Sequence, residues 1–138
     1  MIESFNNHFK QICSNLNSKK KVFVLGLSGG LDSMTLLYLL KRFLENNNKF
    51  EIEIFPIIID HNIRQGSSKE ACQVQNLSQQ LGFKTTIKKI HCKIPSGNIQ
   101  DWARKKRRDI LCESTYKLSA NLLLAHHFDD QAETLFMR

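Results

Sequence analysis

Three short stretches of this chain carry the residue types that chemistry needs. Ser28-Gly29-Gly30-Leu31-Asp32-Ser33 joins hydroxyls and a carboxylate to a glycine turn, and Asp60-His61-Asn62-Ile63-Arg64 mixes both charges with an imidazole. His126-His127-Phe128-Asp129-Asp130-Gln131-Ala132-Glu133-Thr134 sets three carboxylates behind two histidines. If Gly29 and Gly30 form a tight turn opening a helix, the free backbone N–H groups of Gly29 to Ser33 lie at its positive end beside two hydroxyls. That is a site for phosphate or pyrophosphate. Asp32 repels such an anion unless it holds a Mg²⁺ that bridges to the phosphates. A Ser- or Asp-capped helix after a glycine turn accounts for the same stretch without a ligand. In the third stretch, a helix starting near Phe128 puts Asp130 and Glu133, or Asp129 and Glu133, on one face. Three carboxylates so close require a cation, either Mg²⁺ or a substrate ammonium. Complementing a helix amino terminus would explain one or two of them.

A fourth candidate is cationic. Asn98 can cap a helix running to about Lys117 that contains Ala103-Arg104-Lys105-Lys106-Arg107-Arg108. At about 100° per residue, Ile99, Trp102, Ala103, Ile110 and Leu111 form an apolar arc; Arg107 falls inside it, Arg104 at its margin, and Lys105 and Arg108 outside. A guanidinium on a packing face is costly unless an anion meets it. The other cations fit either a solvated face or a track for polynucleotide phosphates.

The elements that must position these groups follow from hydrophobic period. Lys21 to Leu27 reads as a buried strand, and Leu36, Leu39, Leu40 and Phe43 make one side of a helix over Asp32 to Glu45. Phe50 to Ile59 is a second strand despite Pro56, which an outer position or a bulge tolerates. Ser67 or Ser68 caps a helix that Gly82 ends, Phe83 to Ile90 is a third strand, and Leu118 to Ala125 contains a fourth. Before them, Ile2, Phe5, Phe9, Ile12, Cys13 and Leu16 define an amphipathic helix over residues 2 to 17. Strands alternating with helices predict a doubly wound α/β domain on a parallel sheet, with ligands outside the carboxyl ends of its strands. Each polar stretch lies at such an end. No cap, Gly or Pro precedes Arg138, so the domain is expected to be incomplete at its carboxyl end.

Composition narrows the class. The 138 residues are 41% hydrophobic and 24% charged, within the range of one globular domain. A net charge of +7 favours a polyanionic partner. Cys13, Cys72, Cys92 and Cys112 lack zinc or cluster spacing and read as reduced structural thiols of a cytosolic protein. The start of the chain has no apolar signal region, and no run approaches a membrane span. No G-x-x-x-x-G-K-[ST] is present and no G-x-G-x-x-G opens a helix.

SGGLDS directly after a strand resembles the pyrophosphate-binding loop of the PP-loop ATP pyrophosphatases. Together with Leu124-Ala125-His126-His127-Phe128-Asp129-Asp130-Gln131-Ala132-Glu133-Thr134, it is similar to the amino-terminal catalytic domain of the tRNA(Ile)-lysidine synthetase family, over about Lys21 to Arg138. The resemblance implies an amino-terminal helix over 1–20 and an ATP-binding catalytic domain over 21–138. It also implies ATP-dependent ligation of L-lysine to the wobble cytidine of a CAU-anticodon tRNA(Ile). By that resemblance Ser28, Gly29, Gly30, Leu31, Asp32 and Ser33 hold the pyrophosphate moiety and Mg²⁺, and Asp60 and His61 lie near the adenosine. Arg104 and Arg107 match an Ala-Arg-x-x-Arg element that meets phosphate charge. Asp129, Asp130 and Glu133 bind the lysine ammonium and, through Asp130, Mg²⁺. One departure stands out: Arg108 replaces the family's usual Tyr. The implied setting is the cytoplasm without membrane contact, with a homodimer left open. Rival readings are a tRNA thiolase of the same family, an ATP-binding module without turnover, and a basic RNA-binding protein.

Overall fold

A computed structural model of the chain describes residues 2–16, 20–47, 49–128 and 131–137, with side chains described up to residue 125. The order is α1 (Ile2–Asn15), β1 (Lys20–Gly26), α2 (Leu31–Asn46), β2 (Glu51–Asp60), α3 (Ser67–Gln80), β3 (Thr86–Lys89), α4 (Ile99–Lys117), β4 (Asn121–Phe128) and β5 (Gln131–Met137). The strands form one sheet in the order β3-β2-β1-β4-β5. The first four run parallel and β5 is antiparallel to β4. Strand order reverses at β1, with β2 and β3 added on one side and β4 on the other, which places the crevice of a doubly wound sheet at that strand's carboxyl end.

The period of two along β1 divides the core. Phe23, Leu25 and Leu27 join Leu36, Leu37, Leu40 and Phe43 of α2 and Phe9 and Cys13 of α1 on one face. Val24 turns to the other face, with Ile57, Ile59, Leu122 and Leu111 of α4. The Phe9 ring anchors the first layer, 4.8 Å from Phe43 edge-on and 5.3 Å from Phe23. Helices therefore cover both faces of the parallel sheet, as the alternation of elements predicts.

Pro56 is fully buried in β2, an inner strand, rather than at a sheet edge or a bulge. The Ile57 carbonyl accepts from the Leu27 N–H at 2.9 Å, so the backbone of residue 57 faces β1 and that of residue 56 faces β3. Pairing with β3 begins only at Ile57. The missing N–H of Pro56 thus falls where β2 has no neighbour.

Two expected caps take another form. Gly66 in the left-handed region, not Ser67 or Ser68, is the N-cap of α3, and Ser68 is used elsewhere. Asn98 is the N-cap of α4, but its side chain bonds Asp101 Oδ2 at 2.8 Å instead of a backbone N–H. The helix expected from Phe128 is absent. β4 continues to Phe128, and Gln131 to Met137 return along it, pairing Glu133 with His126. Strand pairing there satisfies backbone groups along an otherwise open edge of β4.

Candidate functional site

The loop from β1 to α2 is closed by its own hydroxyls. Ser33 Oγ accepts from the backbone N–H groups of Ser28 and Gly29, both at 3.2 Å, and donates to the Gly30 carbonyl at 3.1 Å. Ser28 Oγ lies 3.0 Å from Ser33 Oγ and accepts from the Gly30 N–H at 3.2 Å. The N–H groups of Gly29 and Gly30, expected to be free, are therefore already engaged, by hydroxyls that can exchange these bonds for phosphate oxygens. Gly30 caps α2 with no side-chain bond, so the simple capped-helix explanation fails at that residue. Gly29 has φ +84° and its hydrogen faces α3: a Cβ there would lie 2.6 Å from Val74 Cγ2.

Beside this loop a cleft of about 520 Å³ opens outside the carboxyl ends of β1 and β2. That is the size of a small-molecule site. Ser28, Gly29, Asp60, His61 and Arg107 are among its lining residues, so three of the four sequence candidates meet there.

Asp60 is buried, and its carboxylate is committed to the protein. Oδ1 accepts from the Asn62 N–H and Oδ2 from Ser68 Oγ, each at 2.9 Å. Burial raises its pKa, but hydrogen bonds from Ser67, Asn62 and Ser68 together with the charge of Lys89 bring it below the ordinary carboxylate value. It ties down the loop that carries His61. The half-buried His61 has a buried Nδ1 with no hydrogen-bond partner among the described residues. Burial first, and the charge of Arg107 second, lower its pKa against the opposing pull of Asp60. A neutral imidazole therefore faces the cleft with an unused polar atom, which a ligand can satisfy.

These two shifts make a pH prediction. Asp60 titrates lower in the folded than in the unfolded chain, so its contribution is complete above the unfolded value and is lost as pH falls through the folded one. His61, also depressed, makes the unfolded chain the better proton acceptor as pH falls past about 6.5. Stability should therefore decline in steps below neutrality, and His61→Gln should remove the upper step while keeping the lower one, read by urea midpoints across pH. An unchanged upper step in that variant contradicts the assignment.

Arg107 is the group the apolar arc singled out. It is half-buried, burial lowers its pKa, and its guanidinium makes no hydrogen bond or ion pair among the described residues. Gly26, expected only as part of a strand, makes its position possible. A Cβ on Gly26 would lie 2.7 Å from Leu124 Cδ2, 2.8 Å from Leu111 Cδ1 and 3.2 Å from Arg107 Nη2. An isolated glycine inside a strand is the signal that could have found it. Gly26→Val should cost about 3 kcal/mol by overpacking and displace the guanidinium, read as a lowered melting midpoint together with weaker nucleotide binding. A variant of parental stability would contradict the close approach.

Other expected members are placed less centrally. Arg104 is exposed on α4 and is not among the residues lining the cleft; Asp32 is half-buried in the first turn of α2, and Leu31 is exposed. Asp129 and Asp130 lie outside the described residues, and of Glu133 only its strand backbone is described. Among the described residues no group of three or more His, Cys, Asp and Glu could hold a metal ion. Cys13 is buried, its thiol pushed up to about 11 by burial against the charge of Lys21. Cys72, Cys92 and Cys112 are exposed, so the expectation of structural thiols holds for Cys13 alone. Among the described residues no helix is long and apolar enough to cross a membrane.

A family model described as a PP-loop domain, ATP_bind_3, matches residues 1–138. The chain belongs to the PP-loop family. Proteins named tRNA(Ile)-lysidine synthase are similar to it along its length: that of Rickettsia africae is 34% identical over 139 residues, covering 100% of this chain and 28% of that protein. That of Clostridioides difficile is 36% identical over 130 residues, covering 90% of this chain and 28% of the relative. This PP-loop chain thus spans little more than a quarter of the length of these relatives. A solved structure, the U34-tRNA thiolase NcsA from Methanococcus maripaludis with its [4Fe-4S] cluster, shares the fold at TM-score 0.72 and 18% identity. It covers 94% of this chain and 46% of that one.

Proposed function

We propose that the protein ligates L-lysine to C2 of the wobble cytidine in a CAU-anticodon tRNA(Ile), in the cytoplasm, at the expense of ATP. The cytidine C2 oxygen attacks the α-phosphorus of ATP and pyrophosphate leaves. The lysine ε-amine then attacks C2, a C–N bond forms, the C–O bond to AMP breaks, and the amine loses its proton to a carboxylate. Lysidine results, and the codon read changes from AUG to AUA. One observation supports this reading above the others: the glycine loop and a guanidinium without a partner among the described residues face a single cleft in a chain 34% identical over its whole length to a tRNA(Ile)-lysidine synthase.

In this reading Ser28, Gly29, Gly30 and Ser33 take the pyrophosphate moiety, while Arg107, with Arg104 at the rim, meets the charge that develops during transfer. Asp60 holds the loop on which His61 faces the adenosine. Asp32, a carboxylate beside the loop, has the hard oxygen that Mg²⁺ takes. Asp32 and Asp130 would hold the ion. Bound there, Mg²⁺ neutralises phosphate charge. Asp129, Asp130 and Glu133 would take the lysine ammonium and its proton.

The test is to incubate the purified protein with ATP, Mg²⁺, tRNA and a panel of amines. Pyrophosphate release that needs both the CAU-anticodon tRNA and lysine is the expected result. Turnover that needs a sulfur donor would move the protein among the tRNA thiolases, and ATP binding without release would make it a nucleotide-binding module.

A further inference from the structure

α4 returns from the carboxyl end of β3 to the start of β4, so its first half lies at the end of the sheet where the cleft opens. Charge is segregated along it. Arg104, Lys105, Lys106, Arg107 and Arg108 occupy the first half against Asp101 alone, while Asp109, Glu113 and Lys117 lie in the second half. Arg107 turns inward to the cleft; Lys105 and Arg108 are exposed and Lys106 is half-buried. From Lys105 to Arg108 the axis advances only about 4.5 Å, so these cations lie within one helical turn of Arg107, which lines the cleft.

The sheet edge adds to them. Ile87 of β3 packs with the α1–α3 layer and Ile90 with the α4 layer. By alternation the exposed Lys88 therefore faces α4. Its charge, after the pair with Lys117, helps hold the Glu113 carboxyl below the usual range. Among the described residues none of Lys88, Lys105, Lys106 and Arg108 is in an ion pair, whereas Lys20, Lys41, Arg64 and Lys117 each have an acidic partner. Like charges at Arg104 and Arg108, four residues apart, disfavour the helix slightly unless an anion lies over them. Tyr116, 87% exposed, continues the outward line of Lys105 one helix-half further on. Its ring offers a stacking surface to an unpaired base.

We infer that the outer face of the first half of α4, with Lys88 on the neighbouring strand, is the surface on which the phosphate backbone of an RNA docks, setting its reacting base at the cleft. The inference rests on the tRNA-modifying reading above. Backbone docking of this kind is sequence-independent and salt-dependent, because each neutralised phosphate releases counterions.

The test compares two fourfold alanine variants of the purified protein in tRNA binding across a salt series. One removes Lys88, Lys105, Lys106 and Arg108; the other removes the exposed Lys10 of α1, Arg42 of α2, and Lys49 and Lys84 of the connections before β2 and β3. Both lose the same charge, and alanine suits the helix. The first should bind tRNA at least about tenfold more weakly at ~50 mM salt, with a log–log salt slope shallower by roughly 3, and its affinity for ATP should match that of the parent. The second should stay within about twofold of the parent, since long-range charge effects are screened. Equal losses in both variants, no loss in the first, or a parent that does not bind tRNA would each overturn the inference. Lysine-dependent pyrophosphate release by the parent is scored separately. If that release fails while the first variant still loses tRNA binding, the docking face stands and the ligase reading falls.

Discussion

Asp32→Ala should reduce pyrophosphate release by about a thousandfold or more while changing stability by no more than about 1 kcal/mol. The side chain is half-buried in the first turn of α2, immediately after the glycine loop. As a helix-start carboxylate it is worth only a fraction of a kcal/mol up to about 1 kcal/mol. Without a cation it would repel the triphosphate, so its presence beside an anion loop makes sense through Mg²⁺. The isosteric Asp32→Asn should be equally inactive, because it retains shape and loses charge. Single-turnover pyrophosphate release with a thermal melt on the same samples decides. Wild-type rates in either variant would remove the metal role, and a collapsed melting midpoint would make the residue structural.

The second large effect separates activity from stability. Arg107→Met should lower turnover about 100- to 1,000-fold yet leave the protein as stable as the parent or about 1 kcal/mol more stable. The guanidinium is half-buried, its burial opposes the charged form, and it has no partner among the described residues. Methionine has similar length, packs against Leu111 and Leu124 over Gly26, and needs no counter-charge. A cation retained where it is unfavourable for folding is explained by an anion that arrives only with substrate. Denaturant midpoints and pyrophosphate release are the two readouts. Loss of stability with unchanged turnover would reverse the argument.

Arg107 was legible in the sequence because a single guanidinium on an apolar helical arc has few bland explanations. The α/β order was legible for a similar reason, since apolar runs at period 2 and period 3.6 alternate along the chain. Gly26 was missed because only packing between α4 and β1 reveals why it lacks a side chain. Ser68 was misassigned as a cap because its true partner, Asp60, is eight residues away across a loop. The segment after Phe128 was misread for a non-local reason. Its acidic spacing suits a helix, but the edge of β4 decides for a strand. The loop N–H groups were expected to be open because nothing local shows that Ser33 folds back on them.

The most direct test of a nucleotide at the β1 end of the sheet is an amide and arginine side-chain NMR titration with Mg²⁺ and a non-hydrolysable ATP analogue. The largest shifts should fall on Gly29, Gly30, Ser33, His61 and the Arg107 Nε signal. Shifts centred instead on Lys41, Leu81, Gly82 and Lys84, which line a second cleft of about 480 Å³ at the other end of the sheet, would contradict it.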